Sequence, residues 1–238
     1  MSISERPQEG RVFGASVAEF ALASDSASAY TVTNYAVVHL AAAARFSRRV
    51  GEIEAAHPDA VLGDFWEEIR HCSSACVMLA VAALEAYANE AIYELLSDSE
   101  GSMTAIDSKT LRDLHFAKVK DKIDYVRRQR GHPVFSWGER IGQAIGDLIE
   151  LRDAVVHFKP ERSDAGSKHA ELSRRLKNRF TPSLYFKDPE GIFPRRWCCH
   201  SCTAWTVETC RQFGTVVETG VGANPKFSSP VWREAFTP

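Results

Sequence analysis

The chain has 238 residues, of which 45% are hydrophobic and 25% are charged, and its formal net charge at pH 7 is −2. This composition predicts a globular protein with a sizeable core, and the near-neutral charge argues against a general coating of nucleic acid. The six cysteines are too few and too irregularly spaced for the disulfide framework of a small secreted protein. The start, MSISERPQEG, lacks the basic-then-apolar order of a signal peptide, and no apolar run reaches the roughly 18–20 residues of a membrane span. We therefore expect a cytoplasmic protein that is not embedded in a membrane.

The first part of the chain predicts a loose arm and two helices. Residues 1–30 mix Gly, Ser, Ala and Asp without a sustained period, which favours a loose N-terminal arm. From about Thr33 to His57 the chain is rich in strong helix formers, and HPDAVLGD then supplies the Pro and Gly that end this helix. The stretch from Phe65 to Ser97 carries an apolar stripe of helical period and is apolar on every side around its middle. It is the predicted central helix.

Two further helices have recognisable ends in the sequence. Asp107 or Ser108 can cap a helix that continues through KVKDKIDYVRRQR and is ended by GHP. Ser136 is the predicted N-cap of the next helix, with Glu139 three residues later completing a capping-box pattern. That helix is expected to run to about Phe158, because the residue before a proline is disfavoured in the helical region and the sequence continues Lys-Pro.

The last part of the chain predicts a short basic helix, HAELSRRLKNRF, and a final helix from Cys199 to Glu218. The intervening TPSLYFKDPEGIFPRR is irregular, with Pro and Gly. No strand pattern or internal repeat is visible. The predicted fold class is therefore all-α, a helical bundle of about five or six helices that spans 31–219 and is followed by a C-terminal tail at 220–238.

One charged residue, Arg152, falls on the apolar side of the predicted fifth segment. On a helical wheel with about 100° per residue and Ile141 at zero, Arg152 lies at about 20°, in the centre of an apolar arc. That arc consists of Ile141, Ile145, Leu148, Ile149, Val155 and Val156. A guanidinium keeps its charge, and burying it without a partner would cost several kcal/mol. A carboxylate, an anion or a solvent-filled seam must therefore accompany Arg152.

Four residues share the flank of this arc. Asp153 and His157 are neighbours four residues apart, and Gly142 and Gly146 lie on the same strip. Each interior glycine weakens a helix by about 1 kcal/mol relative to alanine, which predicts a packing reason for the pair. We expect the polar residues to border a helix-on-helix contact, either within the chain or with a second copy of it.

The predicted helix that carries Arg152 and His157 resembles a helix of the HEPN superfamily, the higher-eukaryote and prokaryote nucleotide-binding domains. In that family an Arg is followed after four to six residues by a His, often with Asn, Asp or His directly after the Arg; Arg152, Asp153 and His157 match this order. Upstream, ALEAYANEAIYELL (83–96) is similar to the long helix of many bacterial members. The succession of KVKDKIDYVRRQRG and LRDAVVHFKP follows the same order of elements.

The resemblance implies a helical bundle that is usually dimeric, with both Arg and both His of two copies lining one cleft. Many members are metal-independent endoribonucleases of toxin–antitoxin or anti-phage systems, and others only bind. Carried over, His157 would move a proton between the RNA 2′-hydroxyl and the leaving oxygen, Arg152 would stabilise the phosphorane-like transition state, and Asp153 would orient His157. Gly142 and Gly146 would mark the two-fold contact. The implied partners are RNA, a second copy and an antitoxin or defence protein, and no cofactor or metal is implied.

Two other hypotheses remain open. Arg152 can form a structural ion pair with Glu85 or Glu90 of the central helix, with Asn89 satisfying other polar groups and His157 acting as a helix C-cap. The chain would then be either an HEPN-like module that binds nucleotide, RNA or protein without catalysis, or a helical bundle outside that family.

Other motifs give weaker predictions. Cys199 and Cys202 have C-x-x-C spacing and would need Cys72 and Cys76 to complete a zinc site, while 198–202 could be redox-active; buried thiols are the simpler interpretation. The basic runs RRQR (127–130) and RRLKNR (174–179) predict either phosphate contacts or solvated helix surfaces.

Overall fold

The computed structural model describes residues 34–58, 61–98, 108–161, 167–186, 191–221 and 225–238; the predicted arm at 1–30 lies outside them. The described residues form seven α-helices and no β-strand, which confirms the all-α prediction with more helices than the five or six expected. The helices are α1 (Tyr35–Ala56), α2 (Phe65–Asp98), α3 (Ser108–Phe116), α4 (Val119–Gln129), α5 (Arg140–Val156), α6 (Lys168–Leu176) and α7 (His200–Val221).

The predicted central helix is α2, and α1, α4, α5 and α7 all pack against it. Its middle is apolar around most of its circumference because neighbours cover it on several sides. Contrary to the sequence-based expectation, the stretch Phe65–Leu96 is long and apolar enough to cross a membrane by length and composition. More than half of its most apolar window is buried inside the protein, which is also what the core helix of a soluble bundle shows.

The helix predicted to run from residue 108 to 130 is in fact two helices, α3 and α4. No Pro or Gly interrupts the sequence at this point. The buried Lys122 of α4 donates from Nζ to the carbonyl oxygen of His115 at 3.3 Å and to Oδ1 of Asn89 on α2 at 2.7 Å. The Lys122 side chain, seven residues later, thus satisfies a carbonyl in the last turn of α3, so the chain can turn there without leaving that group unpaired.

The capping box predicted at Ser136 does not form. Helix α5 begins at Arg140, three residues later than a Ser136 cap predicts, and Glu139 occupies its N-cap position. The segment before it is held against α4 by the buried Asp124. The Asp124 carboxylate accepts hydrogen bonds from the backbone amide of Phe135 at 2.9 Å and from the indole Nε1 of Trp137 at 3.0 Å. These two bonds keep the chain out of the helix until it has passed Trp137.

Of the segment predicted as a C-terminal tail, 220–238, the described residues 225–238 pack against the helices within the compact unit Tyr35–Pro238. Phe227 and Phe236 are almost completely buried. The carboxylate of Glu218 on α7 anchors the segment by accepting hydrogen bonds from three successive backbone amides at 226–228, at 2.8–2.9 Å. A buried carboxylate with several donors fixes the backbone that supplies them.

Candidate active site

Helix α5 places the predicted site at its exposed C-terminal end. Its buried face is formed by Gly142, Ala144, Ile145, Asp147, Leu148 and Leu151. This face shares Ile145 and Leu148 with the predicted arc but is rotated away from its other members. Arg152 therefore lies at the edge of the buried side and not at its centre, and Val156 is 47% exposed. The wheel treated every apolar residue as buried, whereas α2, α6 and α7 cover only one part of that arc.

Arg152 forms an ion pair with α2. Its Nη2 donates to Oε1 of Glu85 at 2.9 Å, and its Nε lies 3.0 Å from Oδ1 of Asp153 but is too poorly aligned for a hydrogen bond. The side chains of Arg152, Glu85 and Asp153 are 27%, 48% and 52% exposed. The guanidinium is therefore held at the protein surface by two half-exposed carboxylates.

His157 directly follows the last residue of α5 and occupies its C-cap position. Its backbone amide donates to the carbonyl oxygen of Asp153 at 2.9 Å, and its side chain is exposed to solvent. Within the described range 108–161, the structure shows no hydrogen bond or ion pair between the imidazole and the side chains of Arg152 and Asp153. The three residues of the motif thus lie at the same end of α5, with His157 about one turn after Arg152 and Asp153.

Asn89 and Glu90 do not reach Arg152. Oδ1 of Asn89 accepts from Lys122 of α4, as described above. Glu90 accepts from the backbone amide of Ala36, at the start of α1, at 3.0 Å and from Nζ of Lys226 at 2.7 Å. Of the three acids and amides considered from sequence, Glu85 alone contacts the arginine; Asn89 and Glu90 stabilise other parts of the bundle.

The two glycines of α5 have different surroundings. A Cβ at Gly142 would lie 2.6 Å from the backbone of Trp137, whereas a Cβ at Gly146 would meet nothing within 4 Å. Gly142 is therefore required by the close approach of the preceding segment inside the protomer, and it is not available to a second copy. Gly146 is exposed, and its role in a two-fold contact stays a prediction.

This difference predicts opposite effects of alanine at the two positions. Gly142→Ala should lower the free energy of unfolding by about 1–3 kcal/mol, because the new methyl group overlaps the Trp137 backbone. Gly146→Ala should raise it by about 0.5–1 kcal/mol, because alanine is the better helix former in open space. Urea unfolding of both variants measures this. Stabilisation by both substitutions would contradict the close packing at Gly142.

A second pair of variants tests whether Arg152 is a surface residue in energetic terms. Arg152→Ala should cost less than about 1 kcal/mol of unfolding free energy, because its half-exposed partners regain water when the guanidinium is removed. Arg179→Ala is the matched control: its guanidinium binds Asp147 at 2.7 Å, with side chains only 18% and 11% exposed. Its loss should cost about 3 kcal/mol, since the Asp147 carboxylate is left buried alone. A comparable loss in Arg152→Ala would indicate a structural ion pair.

The six cysteines are buried inside the helical bundle. All six thiols are unpaired and buried, and burial raises the pKa of Cys199 to about 12. Sγ of Cys76 donates to the carbonyl oxygen of Thr203 at 3.7 Å, so α2 and the start of α7 do meet. The described residues nevertheless contain no group of three or more His, Cys, Asp or Glu side chains placed to hold a metal ion.

The two basic runs contribute several arginines to local contacts. Nε of Arg127 donates to the carbonyl oxygen of Pro133, and Nε of Arg128 donates to that of Asp124. In the second run, Arg175 pairs with Glu150 and Arg179 with Asp147, which fastens α6 to α5. These four guanidinium groups are therefore engaged in contacts within the chain.

Two residues that the sequence did not single out lie beside the motif. Phe158, directly after His157, stacks on the imidazole ring of His169 from α6, with ring centroids 5.5 Å apart and planes inclined by 20°. The sequence signal was an aromatic residue immediately after the motif, but its partner lies beyond a loop and could not be identified without the fold.

Comparison with known proteins adds no relative: no family model, no curated protein and no solved structure matches this chain.

Proposed function

We propose that the chain is a metal-independent endoribonuclease of HEPN type, which acts in a toxin–antitoxin or anti-phage setting. The observation that carries the proposal is the position of Arg152, Asp153 and His157 together at the exposed end of one helix. A solvent-facing imidazole and a weakly held guanidinium are the two groups that metal-free cleavage of a phosphodiester requires.

The proposed reaction uses the substrate's own 2′-hydroxyl as nucleophile. His157 accepts the proton of this hydroxyl as its oxygen attacks the adjacent phosphorus, and the proton then passes to the 5′-oxygen as the P–O5′ bond breaks. The products are a 2′,3′-cyclic phosphate and a free 5′-hydroxyl. Arg152 binds the non-bridging oxygens, where negative charge accumulates in the transition state.

The contact between Arg152 and Glu85 is compatible with this role. An ion pair between half-exposed side chains contributes about 0–1 kcal/mol, so a phosphodiester can displace Glu85 at little cost. Nε of Arg152 is buried beside Asp153, so a phosphate oxygen would have to bind the terminal Nη groups. Displacement of Glu85 would free Nη2 for this contact while Asp153 holds the guanidinium at the end of α5.

We also propose that the active form is a homodimer. Two apolar side chains on the helices that carry the Glu85–Arg152 pair are exposed: Met78, two turns before Glu85 on α2, and Val156, one turn after Arg152 on α5, are both more than 40% exposed. Burying this surface against a second copy would remove apolar area from water and bring two motif helices together. The one cleft between the two copies would then contain both copies of Arg152 and His157, and an antitoxin or defence partner would act by covering it.

One observation favours a second function, that of a non-catalytic HEPN-like module that binds nucleotide, RNA or protein. The Glu85–Arg152 pair joins α2 to α5, and it would serve as a scaffold even if His157 transferred no proton. In this case the same surface binds its partner without turnover.

Cleavage of RNA in EDTA separates the two functions. The purified wild-type chain is incubated with a labelled single-stranded RNA in excess EDTA, and the ends of the products are identified. Cleavage to 2′,3′-cyclic phosphate and 5′-hydroxyl ends is expected. Binding without cleavage supports the non-catalytic module, and cleavage only on addition of a divalent cation contradicts the proposed chemistry.

A further inference from the structure

The aromatic pair beside the motif has an unusual combination of rigidity and exposure. Phe158 is 49% exposed, although it stacks in near-parallel orientation on His169. His169 in turn contacts the buried Phe193, with ring centroids 4.7 Å apart and an edge-on orientation. The exposed ring is therefore the outer member of a short series of rings that ends in the core.

The surrounding contacts fix this pair in place. Helix α6 runs antiparallel to α5, because Arg175 binds Glu150 and the later Arg179 binds the earlier Asp147. This arrangement brings the first turn of α6 to the end of α5. The backbone amide of His169 also donates to Oε2 of Glu161, just beyond the motif, at 3.1 Å. The Phe158 ring is therefore held in a fixed orientation by its contact with His169.

We propose that Phe158, supported by His169, is a stacking platform for an unpaired nucleobase of the RNA strand that the site cleaves. This inference rests on the proposed ribonuclease function and adds a residue that selects single-stranded substrate. Single-stranded RNA is bound largely by stacking of its exposed bases on aromatic side chains, and each such contact contributes substantially to affinity. The platform directly follows His157, so a stacked base would set the adjacent phosphodiester at the imidazole.

The charge around the platform fits a nucleic-acid strand. Lys159 follows Phe158, and Lys168 precedes His169; both are exposed. Two exposed cations that neighbour the two rings in sequence can contact phosphates of one strand, which favours a nucleotide chain over a single free nucleotide. In a duplex, base pairing and stacking keep the bases from the platform.

The test measures affinity with a strand that cannot be cleaved. A fluorescent 2′-O-methyl oligoribonucleotide lacks the nucleophilic hydroxyl, so its binding to the full-length protein can be followed by anisotropy in EDTA. Phe158→Ala should weaken binding by about 5- to 150-fold, corresponding to the loss of one stacked base. Phe158→Trp should restore it. Phe116→Ala is the matched control, because Phe116 is 84% exposed on α3, and it should bind as the wild type does.

Three results would overturn the platform: equal binding by the wild type and Phe158→Ala, equal loss with the annealed duplex, or equal binding of a mononucleotide and the oligomer. A change in oligomeric state of Phe158→Ala with unchanged RNA binding would also overturn it, and would assign the ring to a contact between copies.

Cleavage of unmodified RNA is scored separately. If the wild type binds the single strand through Phe158 but does not cleave it, the platform is supported and the ribonuclease function is refuted. If Phe158→Ala cleaves and binds as the wild type does, the ribonuclease function is supported and the platform is refuted.

Discussion

His157→Ala is expected to lower the rate of RNA cleavage by about 10²- to 10⁴-fold, the contribution that a positioned general acid–base group makes. Alanine cannot accept the proton of the 2′-hydroxyl or deliver one to the leaving oxygen. The fold should not change, because the His157 side chain is exposed and its structural contact is made by the backbone amide. Initial rates of cleavage at saturating RNA, in EDTA, measure the effect.

The matched control for this variant is His132→Ala. His132 is also exposed and also lies just after a helix, at the end of α4, but it is not part of the motif. It should retain the wild-type rate. Equal traces of cleavage in the wild type, His157→Ala and His132→Ala would indicate a contaminating nuclease and would remove the case for catalysis by this chain.

Phe227→Ala is expected to lower the free energy of unfolding by about 3–5 kcal/mol, the range for truncating a large buried aromatic side chain. The Phe227 ring is only 2% exposed and packs against Tyr87 of α2 and Phe236, with centroids 5.1 and 6.0 Å away. It also lies so close to Gly214 of α7 that a Cβ there would be 1.9 Å from the ring. Alanine would leave a cavity between α2 and α7.

The control for Phe227→Ala comes from the same segment. Val231 is 74% exposed, so Val231→Ala should change stability by less than about 0.5 kcal/mol. Chemical denaturation of both variants at equal protein concentration gives the comparison. Similar, small effects of the two substitutions would show that the segment after α7 contributes little to stability.

The sequence predicted most of the fold because most helices have their causes within their own residues. The apolar stripe of α2, the Ala-rich composition of α1 and the Lys-Pro step after α5 are local features, and helices form where they predict. The break between α3 and α4 and the late start of α5 depend on Lys122 and Asp124, whose partners lie elsewhere in the chain. A sequence contains no sign of which long-range acceptor or donor such a side chain will meet.

The candidate site was predicted in its residues but only partly in its geometry. The wheel placed Arg152 at the centre of the apolar arc, whereas Arg152 lies at the edge of the buried face. The partner that it was expected to need is Glu85. The wheel could not show how far that face is covered, because coverage depends on the angles at which α2, α6 and α7 cross α5. For the same reason Phe158 and His169, which meet only through the packing of α6, had no visible connection in the sequence.

The two contacts of Glu90 have a consequence for the folding of this protein during synthesis. One oxygen of Glu90 receives the amide of Ala36, 54 residues earlier, and the other receives the ammonium of Lys226, 136 residues later. During synthesis the central helix leaves the ribosome long before Lys226 is made, so the nascent chain has its first contact and lacks its second. Closure of such distant contacts is slow, and an open core exposes apolar surface meanwhile. The contact between Glu90 and Lys226 should therefore form only after Lys226 has left the ribosome.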